Sequence, residues 1–137
     1  MSFRLISGSA KIEYYPKTAS TAIANGAIVS ASSGFLVPGT SSTASHLGIC
    51  LKTVAATDAD YASTTMIPVM IPSQDAIFEA DAASLTTALV DTVMDLSDSV
   101  TVNGGANSHH AVQLVKFISA TKGLFKINST KGYTVGA

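Results

Sequence analysis

Ala111-Val-Gln-Leu-Val-Lys-Phe-Ile118, then Thr121-Lys-Gly123, then Leu124-Phe-Lys-Ile127 is the stretch whose reading decides the fold. Side chains alternate across a strand, so the pattern sets Val112, Leu114 and Lys116 on one face and Val115 and Phe117 on the other. Thr121-Lys-Gly123 supplies the turn that folds this strand onto Leu124–Ile127. The unit is a β-hairpin, and similar short extended segments recur throughout the chain.

Working back from it, Gly104-Gly105 marks a turn after Val100-Thr-Val-Asn103, and Val93-Met-Asp-Leu96 is a further strand. Ala76-Ile-Phe-Glu-Ala80 reads as extended. Asp81–Val90 is the best helix candidate, with Asp81 or Ser84 as cap and Leu85, Ala88 and Leu89 on one face. Met66-Ile-Pro-Val-Met-Ile-Pro72 is extended because each proline disfavours helix in the residue before it. Pro68 and Pro72 lack ladder donors, which predicts a sheet edge or a loop-like extension. His46–Val54 is a strand candidate in which Gly48 signals a bulge or a close backbone approach. Asn25-Gly26 and Ser32-Ser-Gly34 are turns flanking Ala27–Ser30 and leading into Phe35-Leu-Val37.

Residues 1–24 are the least patterned. Phe3, Leu5 and Ile6 form an apolar tip, and Lys11-Ile-Glu-Tyr-Tyr15 alternates weakly up to Pro16. The segment reads as an N-terminal arm or a first strand, with the arm favoured. Residues 25–137 read as a single β-rich domain. Seven to ten short strands with one short helix predict a mainly β fold, a small barrel or sandwich.

Composition bears on function. The chain has 137 residues, of which 8 are basic and 9 acidic, so 12% are charged, against about 25% in an ordinary soluble domain. A chain of this mass folds to about 6,700 Å² of surface, which leaves roughly one charge per 390 Å². With a net charge of −1 and a mean hydropathy of +0.37, so bland a surface is prone to association. Part of it is expected to be covered by protein. Lysine and arginine are scattered, which argues against nucleic acid as partner. No apolar run is long enough for a membrane helix, and the first residues lack a secretory signal pattern. Cys50, the single cysteine, reads as a small buried hydrophobe and is compatible with a reducing cytoplasm.

Several residues invite a chemical reading. His109-His110 suggests a metal, but adjacent strand residues point to opposite faces, so a loop pair without ligand role is favoured. Asp58 and Asp60 are a fragment of a calcium loop without its other oxygens, and turn capping explains them better. Ser108-His109 lacks the elbow of a nucleophilic serine. The expectation is therefore a protein that is not an enzyme, with no cofactor, no metal site and no catalytic residues.

An ordered series of segments carries a resemblance. It runs through Asn25-Gly-Ala-Ile-Val29, Gly34-Phe-Leu-Val-Pro38 leading to Leu47-Gly-Ile49, Asp60-Tyr61 before Ile67-Pro-Val69, and Phe78-Glu-Ala-Asp81. It continues through Val93–Leu96 with Val100–Asn103 to the hairpin near Lys116–Asn128. Over roughly residues 22–130 the chain resembles the capsid decoration, or cement, proteins of tailed bacteriophages. The resemblance implies a β-barrel-like body, often a homotrimer, assembled in the host cytoplasm and seated on the outer surface of the virion head. There it would clamp neighbouring copies of the major capsid protein, with Phe3, Leu5 and Ile6 as candidate capsid contacts on the arm. The alternatives are another β-rich virion module (minor head, tail or fibre component) and a surface glycan-binding module. The last is disfavoured by the absence of Trp and by only four tyrosines.

Overall fold

The computed structural model describes residues 3–43 and 46–130. Eleven strands are present among them: β1 (Arg4–Ser7), β2 (Ala10–Pro16), β3 (Ile28–Ser32), β4 (Phe35–Pro38), β5 (Gly48–Cys50), β6 (Met66–Pro72), β7 (Ile77–Ala83), β8 (Val93–Asp98), β9 (Thr101–Asn103), β10 (Val112–Ser119) and β11 (Lys122–Ile127). They form two sheets. The first runs β1-β7-β11-β10-β8-β9, and a parallel β7–β9 pairing closes its last five strands into a barrel. The second, five-stranded sheet runs β2-β6-β5-β3-β4. The protein is thus mainly β.

Local chemistry accounts for the turns. Ser33 and Gly34 both have positive φ, at 52° and 87°, and they join Ser32 to Phe35 in a two-residue hairpin. Positive φ at both central residues matches the right-handed twist of the flanking strands. The β10–β11 hairpin turns at Ala120 and Thr121, one pair tighter than the sequence suggests, so Lys122 and Gly123 already belong to β11. Register shifts between Leu114 and Lys116 break the simple alternation. Val112 and Leu114 point inward as expected, but the bulge turns Lys116 out to solvent and brings Phe117 against the core. A bulge thereby spares the lysine burial.

Two core clusters result. The barrel encloses Phe78, Ala80, Met94, Leu96, Val102, Leu114, Phe125 and Ile127. The second sheet curls around Val29, Leu36, Cys50, Ile67, Val69 and Ile71. Ile28 and Ile49, paired across β3 and β5, belong to the barrel cluster, while their chain neighbours Val29 and Cys50 belong to the other. The β3–β5 pair is therefore buried on both faces and joins the two bodies.

Three expectations are corrected. The helix over 81–90 does not form. Asp81, Ala82 and Ala83 are taken into β7, where β11 pairs one edge at Asp81 and β9 the other. Only Thr87–Leu89 is helical, as a single 3-10 turn. A short helix without buried residues cannot compete with a strand held on both sides.

The proline strand β6 is not at an edge but lies between β2 and β5. The Pro68 carbonyl accepts the Leu51 N–H at 3.0 Å, so its missing donor also faces β5. There β5 pairs through Ile49 and Cys50, and the one reciprocal bond that Pro68 cannot donate falls at the end of that pairing.

The N-terminal segment is not a free arm. β1 lies on the edge of β7 that β9 leaves uncovered, with Arg4 paired to Glu79 at 2.7 Å. β2 belongs to the second sheet. Phe3 is 3% exposed, and its N–H donates to the Gly26 carbonyl at 2.8 Å. Phe3 therefore cannot serve as a capsid anchor without leaving the core, and Leu5 packs against the same cluster. Of the three proposed contacts only Ile6, at the β1 register shift, remains exposed. The boundary at residue 24 is not structural.

Gly48 makes the close approach its sequence position suggests. A Cβ built there would collide with the Met70 carbonyl oxygen across the β5–β6 ladder. Gly48→Ala is expected to destabilise the protein by about 2–3 kcal/mol through this overpacking. Urea unfolding followed by circular dichroism measures it, and an unchanged midpoint would contradict the packing described.

Candidate interaction face on the β2–β6 ladder

β2 and β6 pair without a register shift from Ala10↔Pro72 to Pro16↔Met66. Ile67, Val69 and Ile71 fill the inner cluster, so Met66, Pro68 and Met70 share the other side of β6, where Met70 packs against the barrel cluster and Met66 is exposed. Their cross-strand partners are Pro16, Tyr14 and Ile12. Five apolar side chains, Ile12, Tyr14, Pro16, Met66 and Pro68, thus lie on adjacent paired positions of this side, with Met70 taken up by the barrel. Ile12 is 58% exposed, Tyr14 62% and Met66 53%, while Pro16, Pro68 and Met70 are half-buried. The contiguous area is a few hundred Å², a size at which exposed apolar patches are often functional. Ile6, Phe35 and Ile118, the other large exposed apolar side chains described, stand on other strands.

None of these paired positions carries a charge. Lys11 and Glu13 project from the opposite side of β2, paired at 3.0 Å. Glu13 also accepts the Tyr15 hydroxyl at 2.7 Å. Burial of Tyr15, then this carboxylate, pushes its pKa up to about 12, so it stays a donor. Because Tyr15 packs against the inner cluster, β2 turns its charged side towards the core rim and its apolar side to solvent. A strand carrying Lys11 and Glu13 would ordinarily be set the other way round.

The residues with chemical potential are engaged elsewhere in holding loops. Asp95, 3% exposed, accepts the backbone N–H groups of Ser108 (3.1 Å), His109 (2.6 Å) and His110 (3.0 Å). His109 Nδ1 lies 3.1 Å from its second oxygen. Burial opposes ionisation of Asp95 and is the largest single influence, but these donors together outweigh it and hold its pKa below the usual carboxylate value. His109-His110 is thus the end of a loop wrapped around a carboxylate. Asp58 accepts the Ala55 N–H at 2.8 Å in a turn, and Asp60 faces Lys52 at 3.6 Å. Cys50 is fully buried. Its thiol donates to the Lys52 carbonyl at 2.9 Å, and burial raises its pKa. Among the described residues no group of three His, Cys, Asp or Glu is placed to hold a metal ion, and no helix is long and apolar enough to cross a membrane.

Buried polar side chains that escaped sequence reading include Lys17 and His46. Lys17 is fully buried, and its ammonium donates to the carbonyls of Thr18 (2.9 Å) and Tyr61 (2.6 Å), with the Tyr61 ring 5.5 Å away. It sits where the second sheet nearly closes, bridged to Leu36 of β4. His46 is 1% exposed, and neither ring nitrogen has a hydrogen-bond partner. Burial pushes its pKa down to about 4, so it is neutral in the folded protein.

No protein-family model matches the chain, and no curated protein matches it significantly.

Two outcomes follow from the buried groups. Asp95→Ala leaves buried N–H groups without acceptors and is expected to cost about 3 kcal/mol, with faster amide exchange at residues 108–110. Normal exchange there would contradict the loop's dependence on Asp95. For His46 the folded pKa lies below the unfolded one. As pH falls from 6.5 towards about 4, the unfolded chain takes up a proton that the folded one does not. Stability therefore declines across that window by up to about 3 kcal/mol. The carboxylates held low, Asp75, Glu79 and Asp95, add their own loss from about pH 5 downward, as the unfolded chain begins to protonate them. A His46→Leu variant should lose the slope between pH 6.5 and about 5 in a series of urea titrations. An unaltered slope would mean that another group titrates.

Proposed function

We propose that this chain is a structural decoration (cement) protein of a phage head. It binds the outer face of the capsid and stabilises contacts between major capsid subunits without catalysing a reaction. The observation that carries this reading is the uncharged apolar face of the β2–β6 ladder, borne on a surface already sparse in charge. It replaces the apolar N-terminal tip as the proposed contact, with Ile12, Tyr14, Met66 and Pro68 at its centre. The resemblance described above adds the partner: the major capsid protein, met by a homotrimer at threefold positions of the lattice.

The mechanism on this reading is energetic. Covering roughly 400 Å² of apolar surface contributes about 10 kcal/mol at 25 cal/mol per Å². Association itself costs about 4–15 kcal/mol, so one copy alone binds weakly. Joining copies raises the effective concentration of each further contact. A clamp that fits only the expanded head then stabilises that state by mass action.

The test uses empty expanded heads prepared without the protein. Added wild-type chain is expected to bind in hundreds of copies and to raise the temperature at which the heads come apart. A Tyr14→Asp, Met66→Asp double variant, exposed at both positions and so expected to fold, should bind at least tenfold more weakly. Undiminished binding would remove the β2–β6 face from the contact. A count of only a few copies per particle would favour a tail, fibre or minor head component, and binding to glycans but not heads would favour the glycan module.

A further inference from the structure

The β2–β6 ladder leaves one row of main-chain groups unused. Pro68 aims its carbonyl at β5, so the even-numbered residues of β6 face β5 and the odd-numbered ones face β2. Lys11, Glu13 and Tyr15 are opposite Ile71, Val69 and Ile67 and exchange the ladder bonds. Ala10, Ile12 and Tyr14 therefore turn their N–H and C=O groups away from the sheet. β4, at the far edge of the same sheet, closes on the C-terminal end of β2 and is bridged to the chain at Lys17 and Thr18. Among the described residues no hydrogen bond from a turn or loop reaches the main chain of Ala10, Ile12 or Tyr14. Sheets that stay solitary commonly guard such an edge with a bulge or a covering loop, and among the described residues the stretch from Ala10 to Tyr14 has neither.

We infer that β2 pairs edge to edge with β2 of a second copy of this chain, antiparallel, about a two-fold axis at Ile12. The charges select that register. With the axis at Ile12, Lys11 of each copy stands opposite Glu13 of the other, in a non-hydrogen-bonded pair where side chains approach most closely. With the axis one residue earlier, Lys11 faces Lys11; one residue later, Glu13 faces Glu13. With the axis at Tyr14, neither charge meets its opposite.

The same register fits the other face and the backbone. Ile12 meets Ile12, and the bulky Tyr14 lies across from the small Ala10. Outward-pointing residues meet outward-pointing residues, which supplies roughly six backbone hydrogen bonds, two for each bonded pair. Joined in this way, the second sheets of two copies become one continuous sheet, and their apolar faces merge on one side of it. The pairing does not depend on what the merged face binds. A two-fold contact of this kind also leaves room for a separate threefold contact.

The test is a charge exchange. Wild-type protein at submillimolar concentration is expected to sediment as an even number of copies. Lys11→Glu alone and Glu13→Lys alone each place like charges opposite one another at both pairs, and should weaken association roughly tenfold or more. An equimolar mixture of the two variants should recover it, because each reversed charge then faces its complement. Ile12→Lys keeps both charges but sets like charges against each other at the axis, and should abolish pairing while circular dichroism stays unchanged. Wild type that remains single or odd-numbered overturns the inference. So does association that survives the reversals, or a mixture no more associated than its parts. None of these results depends on binding to heads, so failure here and failure of the decoration reading are separable.

Discussion

Burial of one strand pair on both faces holds the architecture together. In most small β proteins a strand divides core from solvent, but β3 and β5 divide core from core. Ile28 and Ile49 enter the barrel cluster while Val29 and Cys50 enter the other. Neither sheet is large. Each cluster is completed by the apolar side of the strands they share, so loss of packing at this seam would expose both. Gly48 belongs to the same constraint, since only a residue without a Cβ lets β5 lie so close to β6.

Polar groups inside the protein are organised around the backbone more than around each other. Lys17 gives its protons to two carbonyls, and Asp95 takes its protons from three consecutive amides and an imidazole. Such arrangements satisfy buried groups and fix loop shapes, but they leave none of these side chains pointed at an open site. His46 is the exception, neutral and unpartnered within the core. It is tolerated there because an uncharged imidazole costs far less to bury than an imidazolium.

What remains exposed is the informative part. A chain so poor in charge has little with which to keep neighbours away, and the β2–β6 ladder concentrates that property in one uncharged face with an unused strand edge beside it. Both features favour contact with another surface. They also complement each other: the edge offers directional hydrogen bonds and a charge-selected register, and the face offers area without direction.

Much of the β architecture could be read from the chain. The turns at Ser33-Gly34, the hairpin ending in Ile127, the burial of Cys50 and the close approach at Gly48 all follow from local chemistry: positive φ, alternation, hydrophobicity, a missing Cβ. The interaction face was only half legible. Met66–Pro72 carries apolar residues on both sides, but its prolines predict a sheet edge or a loop-like extension, and the barrel takes up Met70. Which strands form edges and which way β2 faces could not be read, because those depend on long-range pairing. Asp81–Ala83 became strand only because β9 and β11 lie beside them, Phe3 entered the core only because β7 had an edge to spare, and Ile12 and Tyr14 turned outward only because Tyr15 found the inner cluster. The sequence by itself determined the local extended conformations and the sparseness of charge. The tertiary structure decided which apolar residues the fold would consume and which it would leave at the surface, since burial is a property of neighbours brought together from distant parts of the chain.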